Sequence, residues 1–408
     1  MAKNWHGLDF LRGIGIFFLL AMHSAFYYFS GLWDLDLENP PLIITVIGFL
    51  LMFAGLFAMI SGAVHGIGMV RLSRNQHWPL AKILRKKMVS SVFILVTAYL
   101  YFILTGPGLA EFANRRMNNS ILVELIRNGR LTGLNLERLF YVDSLVMIGC
   151  NILLVSLVWI LLLKIRQLRP GVLLALSGIV MAVSLLRLPL YPYYLEQVAN
   201  RNWLQVLLLF WLVNKNNPVL PFLAFGLLGS WLGLRLEEGR SARLPLFLGL
   251  ACFAAGMGLY VFLPDTMLQR AIDLKWYSIM LAQLGLFILL ILGAVRLIDQ
   301  RKSKQAKASG NAILRFFQRF SSGGLTAFFW ESIVAALVWR LLTLIWPDLQ
   351  LDIAGSLLFG LILALCWGIA LIFWEKASYR GTIEYLYGWL VRRLGRASSK
   401  SDKLQQHR

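Results

Sequence analysis

The chain has 408 residues, of which 58% are hydrophobic and only 15% are charged, and its mean hydropathy is +0.68. This composition is too apolar for a soluble globular protein and predicts an all-α bundle of membrane-spanning helices. A formal net charge of +20 suggests nucleic-acid binding in a soluble protein. Here the Lys and Arg residues lie mainly in short connections between apolar runs, so no nucleic-acid partner is expected.

About ten apolar runs are predicted to cross the membrane, because the hydrocarbon layer requires roughly 20 residues per helix. The first is expected to be a retained helix, because no small-residue cleavage site follows a short apolar run. The segment Trp203–Val213 is apolar but too short to span, so it is predicted to be re-entrant or interfacial. The predicted spans extend roughly over Leu8–Tyr28, Leu42–Val70, Met88–Thr105, Leu139–Leu163, Gly171–Leu190, Pro218–Leu236, Leu244–Phe262, Trp276–Leu297, Leu325–Trp346 and Ile353–Trp374.

Basic clusters follow every second predicted span, which is the pattern of cytoplasmic connections. The opposite connections carry mainly acidic residues, such as Asp34, Asp36 and Glu38. Both termini are therefore predicted to be cytoplasmic in a multi-pass protein of the cell membrane, expected to be an inner membrane. The basic residues include Arg71, Arg74, Lys82, Arg85, Lys86 and Lys87, then Lys164, Arg166 and Arg169, then Arg235, Arg240 and Arg243, and later Arg392, Arg393 and Arg396.

The predicted domain organisation has three parts. Residues 1–376 form the transmembrane domain, residues 377–396 form an amphipathic helix on the cytoplasmic membrane surface, and residues 397–408 form a disordered tail. No internal repeat is detected, which disfavours an inverted-repeat transporter.

The cysteines lie inside apolar runs, and no Cys or His spacing typical of a metal site occurs. They are expected to be small apolar fillers, and neither a metal nor a tightly bound cofactor is expected. The three cysteines are Cys150, Cys252 and Cys366.

The first span carries three costly polar residues. Arg12 and His23 are eleven positions apart, which at 100° per residue places them on nearly the same helix face, separated by about 16 Å along the axis. Asp9 lies three positions before Arg12 and can pair with it, which lowers the cost of burying either charge. Asp9 and Arg12 can also simply anchor the helix at the interface. His23 is too short to reach water from its depth, so it either bonds a neighbouring helix as a neutral imidazole or transfers protons.

Five stretches carry motifs that occur together in one group of membrane proteins. They resemble the transmembrane acyltransferase superfamily, which includes acyltransferase family 3, the glucan succinyltransferases, heparan-alpha-glucosaminide N-acetyltransferase and YeiB-like proteins. The spacing of Arg12 and His23 resembles the first-helix signature of the acyltransferase-3 branch. The stretches are "LDFLRGIGIFFLLAMH" (Leu8–His23), "LFAMISGAV" (Leu56–Val64), "NPVLPFLAFGLLGSWLG" (Asn217–Gly233), "GGLTAFFWESIV" (Gly323–Val334) and "RGTIEYLYGWLVRRL" (Arg380–Leu394).

The chain also departs from these relatives. Phe329 and Glu331 stand where the late helix of relatives carries Tyr and then Gln or His, and Thr382 replaces Pro in the closing segment. The heparan-type branch lacks a histidine at the position of His23, so the acyltransferase-3 mechanism is the more suitable guide.

The resemblance implies that an acyl group passes from cytoplasmic acyl-CoA, through the membrane, to a hydroxyl or amino acceptor at the outer face, expected to be a glycan. Acyl-CoA, with acetyl-CoA as the expected form, would be a co-substrate, and membrane lipid the surrounding partner. Arg12 with Arg85, Lys86 and Lys87 would bind the CoA phosphates. The alternative for the three residues at the start of the third helix is ordinary positive-inside topology.

Two carboxylates are further catalytic candidates. Asp143 enters the fourth span near its outer end and can orient His23, as a carboxylate does in a triad, or it can cap the helix. Glu331 is an intramembrane carboxylate that is either functional or locally paired. His65 is expected to be satisfied by packing.

Three glycines, Gly226, Gly229 and Gly233, are spaced to share one face of the sixth span. We expect this face to serve close helix packing, with access for a narrow ligand as the alternative.

Three classes of function fit these patterns. The favoured one is an acyl-CoA-dependent acyltransferase with His23 as base or acyl relay. A transporter would use Asp9, Arg12, His23 and Glu331 as a proton or solute path. An accessory membrane subunit is disfavoured because it gives no reason for the cost of these buried groups.

Overall fold

The computed structural model describes eleven stretches of the chain. They are residues 5–36, 41–44, 53–106, 109–111, 115–118, 120–130, 138–165, 169–214, 216–264, 272–299 and 311–393.

Within these stretches the protein is helical apart from connections and one small hairpin. The strands β1 (Leu109–Glu111) and β2 (Arg116–Asn118) pair antiparallel between the third and fourth helices. The helices are α1 (His6–Tyr27), α2 (Ala54–Val70), α3 (Leu80–Leu104), α4 (Ile121–Asn128), α5 (Ser144–Lys164), α6 (Pro170–Val183), α7 (Arg187–Ala199), α8 (Trp203–Val213), α9 (Val219–Glu237), α10 (Arg243–Phe262), α11 (Leu274–Ala294), α12 (Ala312–Ile345), α13 (Ile353–Lys376) and α14 (383–393).

The described residues contain ten helical segments long and apolar enough to cross a membrane, which confirms the predicted all-α multi-span fold. Helices α6 and α7 make one of these segments, joined by a 3-10 turn at Ser184–Leu186. Helix α8 has the predicted bounds, Trp203–Val213, and is too short to span; its interfacial or re-entrant placement stays a prediction.

Two helices begin earlier than their apolar runs. Helix α3 starts at Leu80 rather than Met88, and α12 starts at Ala312 rather than Leu325. The side chain of Asn311 accepts hydrogen bonds from the backbone amides of residues 313 and 314 and so caps α12. Hydropathy locates only the apolar part of a helix, so it misses the polar first turns of both helices; α3 begins directly after Pro79, without a side-chain cap.

Helix α1 packs against α12 and α13 and runs parallel to α12. A Cβ atom at Gly13 would lie only 1.8 Å from the carbonyl oxygen of Phe317, so this glycine allows the backbones to touch. Further along, Ile16 meets Gly324. Because the contacts follow the same order along both helices, they fix the register of α1 against α12. Helix α13 contacts both of them, with Gly360 against Ala21 and Leu371 against Gly323.

Helices α2 and α9 form the tightest pair in the centre of the bundle. A Cβ atom on Gly229 would lie 2.0 Å from the carbonyl oxygen of Met59, and one on Gly233 would lie 2.1 Å from that of Ala63. Gly226 instead faces Asn151 of α5, at 3.2 Å. The glycines therefore serve close packing as expected, but against two neighbours rather than one.

Several helix ends meet at one end of the bundle, which we call the basic end. Arg71 after α2 makes a two-pronged ion pair with Glu237 at the end of α9, with N–O distances of 2.8 and 2.9 Å. The carboxylate of Asp299 accepts hydrogen bonds from the first backbone amides of α1, at 2.9 and 3.0 Å. These contacts unite ends that the basic clusters predict to lie on the same side; which side is cytoplasmic stays a prediction.

The segment that closes the described chain, residues 377–393, packs against the bundle at this end. We call it the closing segment. Thr382, the residue that replaces Pro, is buried, and its hydroxyl accepts a hydrogen bond from the Tyr385 amide at 3.1 Å, so it caps α14. The predicted surface helix at 377–396 is helical over 383–393, and its placement on the membrane surface stays a prediction; its residues 394–396 and the predicted disordered tail at 397–408 lie outside the described residues.

Gly229→Ala is expected to lower the free energy of unfolding by about 1–3 kcal/mol, because the new methyl group must push α9 away from the α2 backbone. Gly258→Ala on α10 is the matched control, since nothing lies within 4 Å of its Cβ position. Denaturant titration of both purified variants checks this. Equal stability of the two variants would contradict the close approach.

Candidate functional site

A polar cluster joins α1 to α12. The Nδ1 atom of His23 lies 2.7 Å from Oε1 of Glu331, which is 308 residues further along the chain. His23 retains 20% side-chain exposure, whereas Glu331 retains 3%. A buried carboxylate beside Nδ1 favours the tautomer that carries its proton there, which leaves the lone pair of Nε2 free to accept a proton.

Helix α3 supplies the third member of this cluster. The hydroxyl of Tyr101, which is fully buried, donates to the same Oε1 atom of Glu331 at 3.1 Å. The ring of Phe328 lies against Tyr101 at 4.7 Å and near His23 at 6.1 Å. The carboxylate is thus held by two donors, and its orientation no longer depends on the histidine alone.

Two atoms of this cluster have no hydrogen-bond partner among the residues that the structure describes. They are Nε2 of His23 and Oε2 of Glu331, and the second is buried. A partly exposed nitrogen beside a buried, oriented carboxylate is an arrangement suited to proton transfer.

Asp143, expected either to orient His23 or to cap its helix, does the second. Its Oδ1 atom accepts a hydrogen bond from the Val146 amide at 2.7 Å, at the first turn of α5. It makes no hydrogen bond to His23, although the two lie within electrostatic range. Of the two alternatives the structure shows the cap, and the carboxylate that hydrogen-bonds His23 is Glu331. A role for Asp143 in the reaction stays a prediction.

Arg12 lies half-buried on α1, toward the basic end from His23. Asp9 interacts with it electrostatically and also accepts a hydrogen bond from the hydroxyl of Ser321 on α12, at 3.3 Å. The Arg12 guanidinium has no hydrogen-bond partner within the described parts of the chain. Its donors are therefore available to an anionic group, as the resemblance implies.

The three predicted basic residues of α3 occupy different environments. Arg85 is exposed, and the ammonium of Lys86 lies 5.3 Å from the ring centre of Trp78. The ammonium of Lys87 turns toward α2 and lies 3.2 Å from Nδ1 of His65. The positive-inside pattern alone accounts for an exposed cation such as Arg85 but does not explain the specific contacts of Lys86 and Lys87. The role of all three residues in CoA binding stays a prediction.

His65 is held on both sides, which accords with the expectation of satisfied packing. Its Nε2 atom lies 2.8 Å from the hydroxyl of Ser156 on α5, and that hydroxyl also donates to the backbone carbonyl of Ile152. The imidazole thus donates from Nε2 and accepts from Lys87 at Nδ1, which orients the Lys87 ammonium.

Two contributors escaped prediction. Tyr101 sits in an apolar run where a tyrosine is unremarkable, so only the fold reveals that its hydroxyl meets Glu331. Arg138, which is 2% exposed, interacts electrostatically with Tyr27 and Tyr101. An arginine beside a predicted span looks like an interface anchor, and its burial was not foreseeable. No group of His, Cys, Asp and Glu residues in the described regions is arranged to hold a metal ion.

One family matches almost the whole chain. The family model of acyltransferase family 3, described as an acyltransferase domain, covers residues 5–375. The chain belongs to this family. Comparisons with curated proteins and with solved structures gave no match.

Membership in acyltransferase family 3 confirms the resemblance drawn from the first-helix motif. Together with the ten apolar helices, it identifies the protein as a multi-pass membrane protein of an acyltransferase family. The matched region ends before the closing segment, which is therefore an element that the family comparison does not cover.

Asp143→Ala is expected to lower stability by about 1 kcal/mol through loss of the cap, whereas Asp143→Asn is expected to keep it, because both residues cap helices well. Denaturant titration of the two variants checks the cap. If Asn destabilises the protein as much as Ala, the carboxylate charge rather than the cap is what the fold requires.

Proposed function

We propose that the protein transfers an acyl group from acyl-CoA to a hydroxyl or amino group of a glycan on the opposite side of the membrane. His23 is the general base. The observation that carries this proposal is the hydrogen bond between His23 Nδ1 and Glu331 Oε1, supported by the membership in acyltransferase family 3.

The proton transfer follows from the tautomer that this bond favours. As the acceptor oxygen or nitrogen attacks the thioester carbonyl, its proton moves to Nε2 of His23, and the resulting imidazolium is stabilised by Glu331. Collapse of the tetrahedral intermediate breaks the carbon–sulfur bond. The departing CoA thiolate takes the proton back from Nε2, so the histidine returns to its starting form.

The donor is proposed to enter from the basic end. Arg12 offers a guanidinium without a hydrogen-bonding partner in the described structure, on the helix that carries His23. Arg85, Lys86 and Lys87 add positive charge at the start of α3. The roughly 16 Å of helix between Arg12 and His23 suits a donor whose phosphates stay near water while an extended arm carries the thioester inward.

His23→Ala is expected to lower the turnover of acyl transfer at least 100-fold, since general-base catalysis contributes about 10²–10⁴-fold. Glu331→Gln is expected to lower it less, because the amide oxygen still accepts from Nδ1 but cannot neutralise an imidazolium. The measurement is release of free CoA from radiolabelled acetyl-CoA and longer acyl-CoAs by purified protein with a panel of sugar acceptors.

Three outcomes of that assay would overturn the proposal. Full turnover by the His23→Ala variant would show that His23 is not the general base. An acyl group trapped covalently on His23 would show that this residue is an acyl relay and not a general base. Failure of the native protein to consume any acyl-CoA, together with solute uptake driven by a gradient, replaces the enzyme with a transporter.

Arg12→Ala is expected to raise KM for acyl-CoA about 10–100-fold with little change in kcat, because a charge-assisted hydrogen bond contributes about 1.5–3 kcal/mol. Titration of the initial rate against acyl-CoA concentration checks this. Dephospho-CoA thioesters should lose less affinity than acyl-CoA if Arg12 contacts the ribose phosphate. An unchanged KM would remove Arg12 from the donor site.

A further inference from the structure

The closing segment bonds directly to the helix that carries Glu331. The carboxylate of Glu384 accepts hydrogen bonds from the backbone amides of Leu325 and Thr326, at 2.6 and 3.3 Å, and from the Thr326 hydroxyl at 2.6 Å. In return, the Thr326 hydroxyl accepts a bond from the amide of Ile383 at 2.8 Å. Four hydrogen bonds therefore join one turn of α12 to the start of α14.

A missing side chain allows this contact. A Cβ atom at Gly323 would lie 2.5 Å from Cδ2 of Leu371 on α13 and 3.3 Å from the ring of Tyr379, so both α13 and the closing segment approach the α12 backbone closely here. The "GGLT" and "GTIE" stretches, recognised as separate motifs far apart in sequence, thus meet as one contact. Neither has a part in the proton transfer proposed above.

The same segment also contacts the helix that carries Tyr101. The hydroxyl of Tyr387 lies 2.7 Å from that of Ser90 on α3, and its ring packs on Phe93 at 5.2 Å. Further from the basic end, α3 and α12 touch each other directly, because Ser332 donates to the carbonyl oxygen of Thr105 at 3.0 Å. The closing segment therefore bridges the two helices on the basic-end side of the His23 cluster, and the helices touch each other directly at the level of Glu331.

We infer that Glu384 is a positioning residue for the His23–Glu331 pair, which rests on the proposed function. Thr326 precedes Glu331 by five positions, about 7.5 Å along the helix axis. A carboxylate that holds two backbone amides and a hydroxyl opposes sliding and rotation of α12 at that turn. Loss of this restraint misplaces Glu331 relative to Nδ1 of His23, and a displacement near 1 Å can cost about 100-fold in rate.

The test compares Glu384→Ala, Glu384→Gln and a matched control in full-length protein in lipid nanodiscs. The control is Glu375→Gln, because Glu375 also pairs with α12, through Arg319 at 2.8 Å and Arg315 at 3.4 Å, but lies on α13. Acetyl-CoA is the donor probe, and kcat, KM and thermal stability are measured for each variant.

Glu384→Ala is expected to lower kcat about 10–100-fold, with KM for acetyl-CoA within twofold of the native value. Glu384→Gln is expected to retain most of the native kcat, because its amide oxygen still accepts hydrogen bonds from the Leu325 and Thr326 amides. The double variant with Glu331→Gln should be no slower than Glu331→Gln alone, since Glu384 acts through Glu331. Additive losses, or an equal loss in Glu375→Gln, would overturn the inference.

Hydrogen exchange separates this inference from the proposed function, because it requires no activity. In Glu384→Ala, amides over residues 325–331 should exchange at least tenfold faster, whereas Glu375→Gln should leave them unchanged. Faster exchange confined to residues 377–393 would overturn the positioning role even if His23 proves to be the base. If the native protein transfers no acyl group, the proposed function fails, and the exchange rates still decide whether Glu384 holds α12.

Discussion

The hydrogen bond between His23 and Glu331 is the constraint on which this structure depends. An ionisable group inside a bilayer is tolerated when it meets a partner, and each of these two residues would be costly alone. The bond requires α1 and α12 to lie side by side, parallel and in one register. Gly13 and Gly324 permit the close approach of these two helices. The hydrogen bond from Ser321 to Asp9 joins the same helices nearer the basic end.

Around this pair the helices are held together in two ways, by close backbone packing at glycines and by polar side-chain contacts. The α2–α9 contact is built mainly from glycines and backbone carbonyls, which lets the two backbones approach closely in the centre of the bundle. The His23 cluster and the contacts of the closing segment lie along α1, α3 and α12, and further polar contacts tie helix ends together at the basic end. There, Arg71 with Glu237 and Asp299 with the α1 amides tie helix ends together through an ion pair and charge-assisted hydrogen bonds.

The sequence predicted the spans and the helix face of Arg12 and His23, because both follow from local periodicity. It could not predict which carboxylate His23 meets. Asp143 and Glu331 are both acidic residues within or beside apolar runs. Which of them contacts His23 depends on which helices become neighbours of α1. The role of Tyr101 and the contact of Glu384 with Thr326 were hidden for the same reason: each joins residues more than fifty positions apart, and neither has a local signature.

The distance along the chain between His23 and Glu331 has a consequence for biogenesis. The first helix leaves the ribosome 308 residues before its partner, an interval of about 15–60 s at ordinary elongation rates. During that time His23 lacks the carboxylate of Glu331, and a neutral imidazole costs far less in an apolar environment than a charged side chain does. Glu331, the acidic residue of the pair, is synthesised after α1 and its histidine are already present. The order of synthesis thus spares the membrane an unpaired carboxylate.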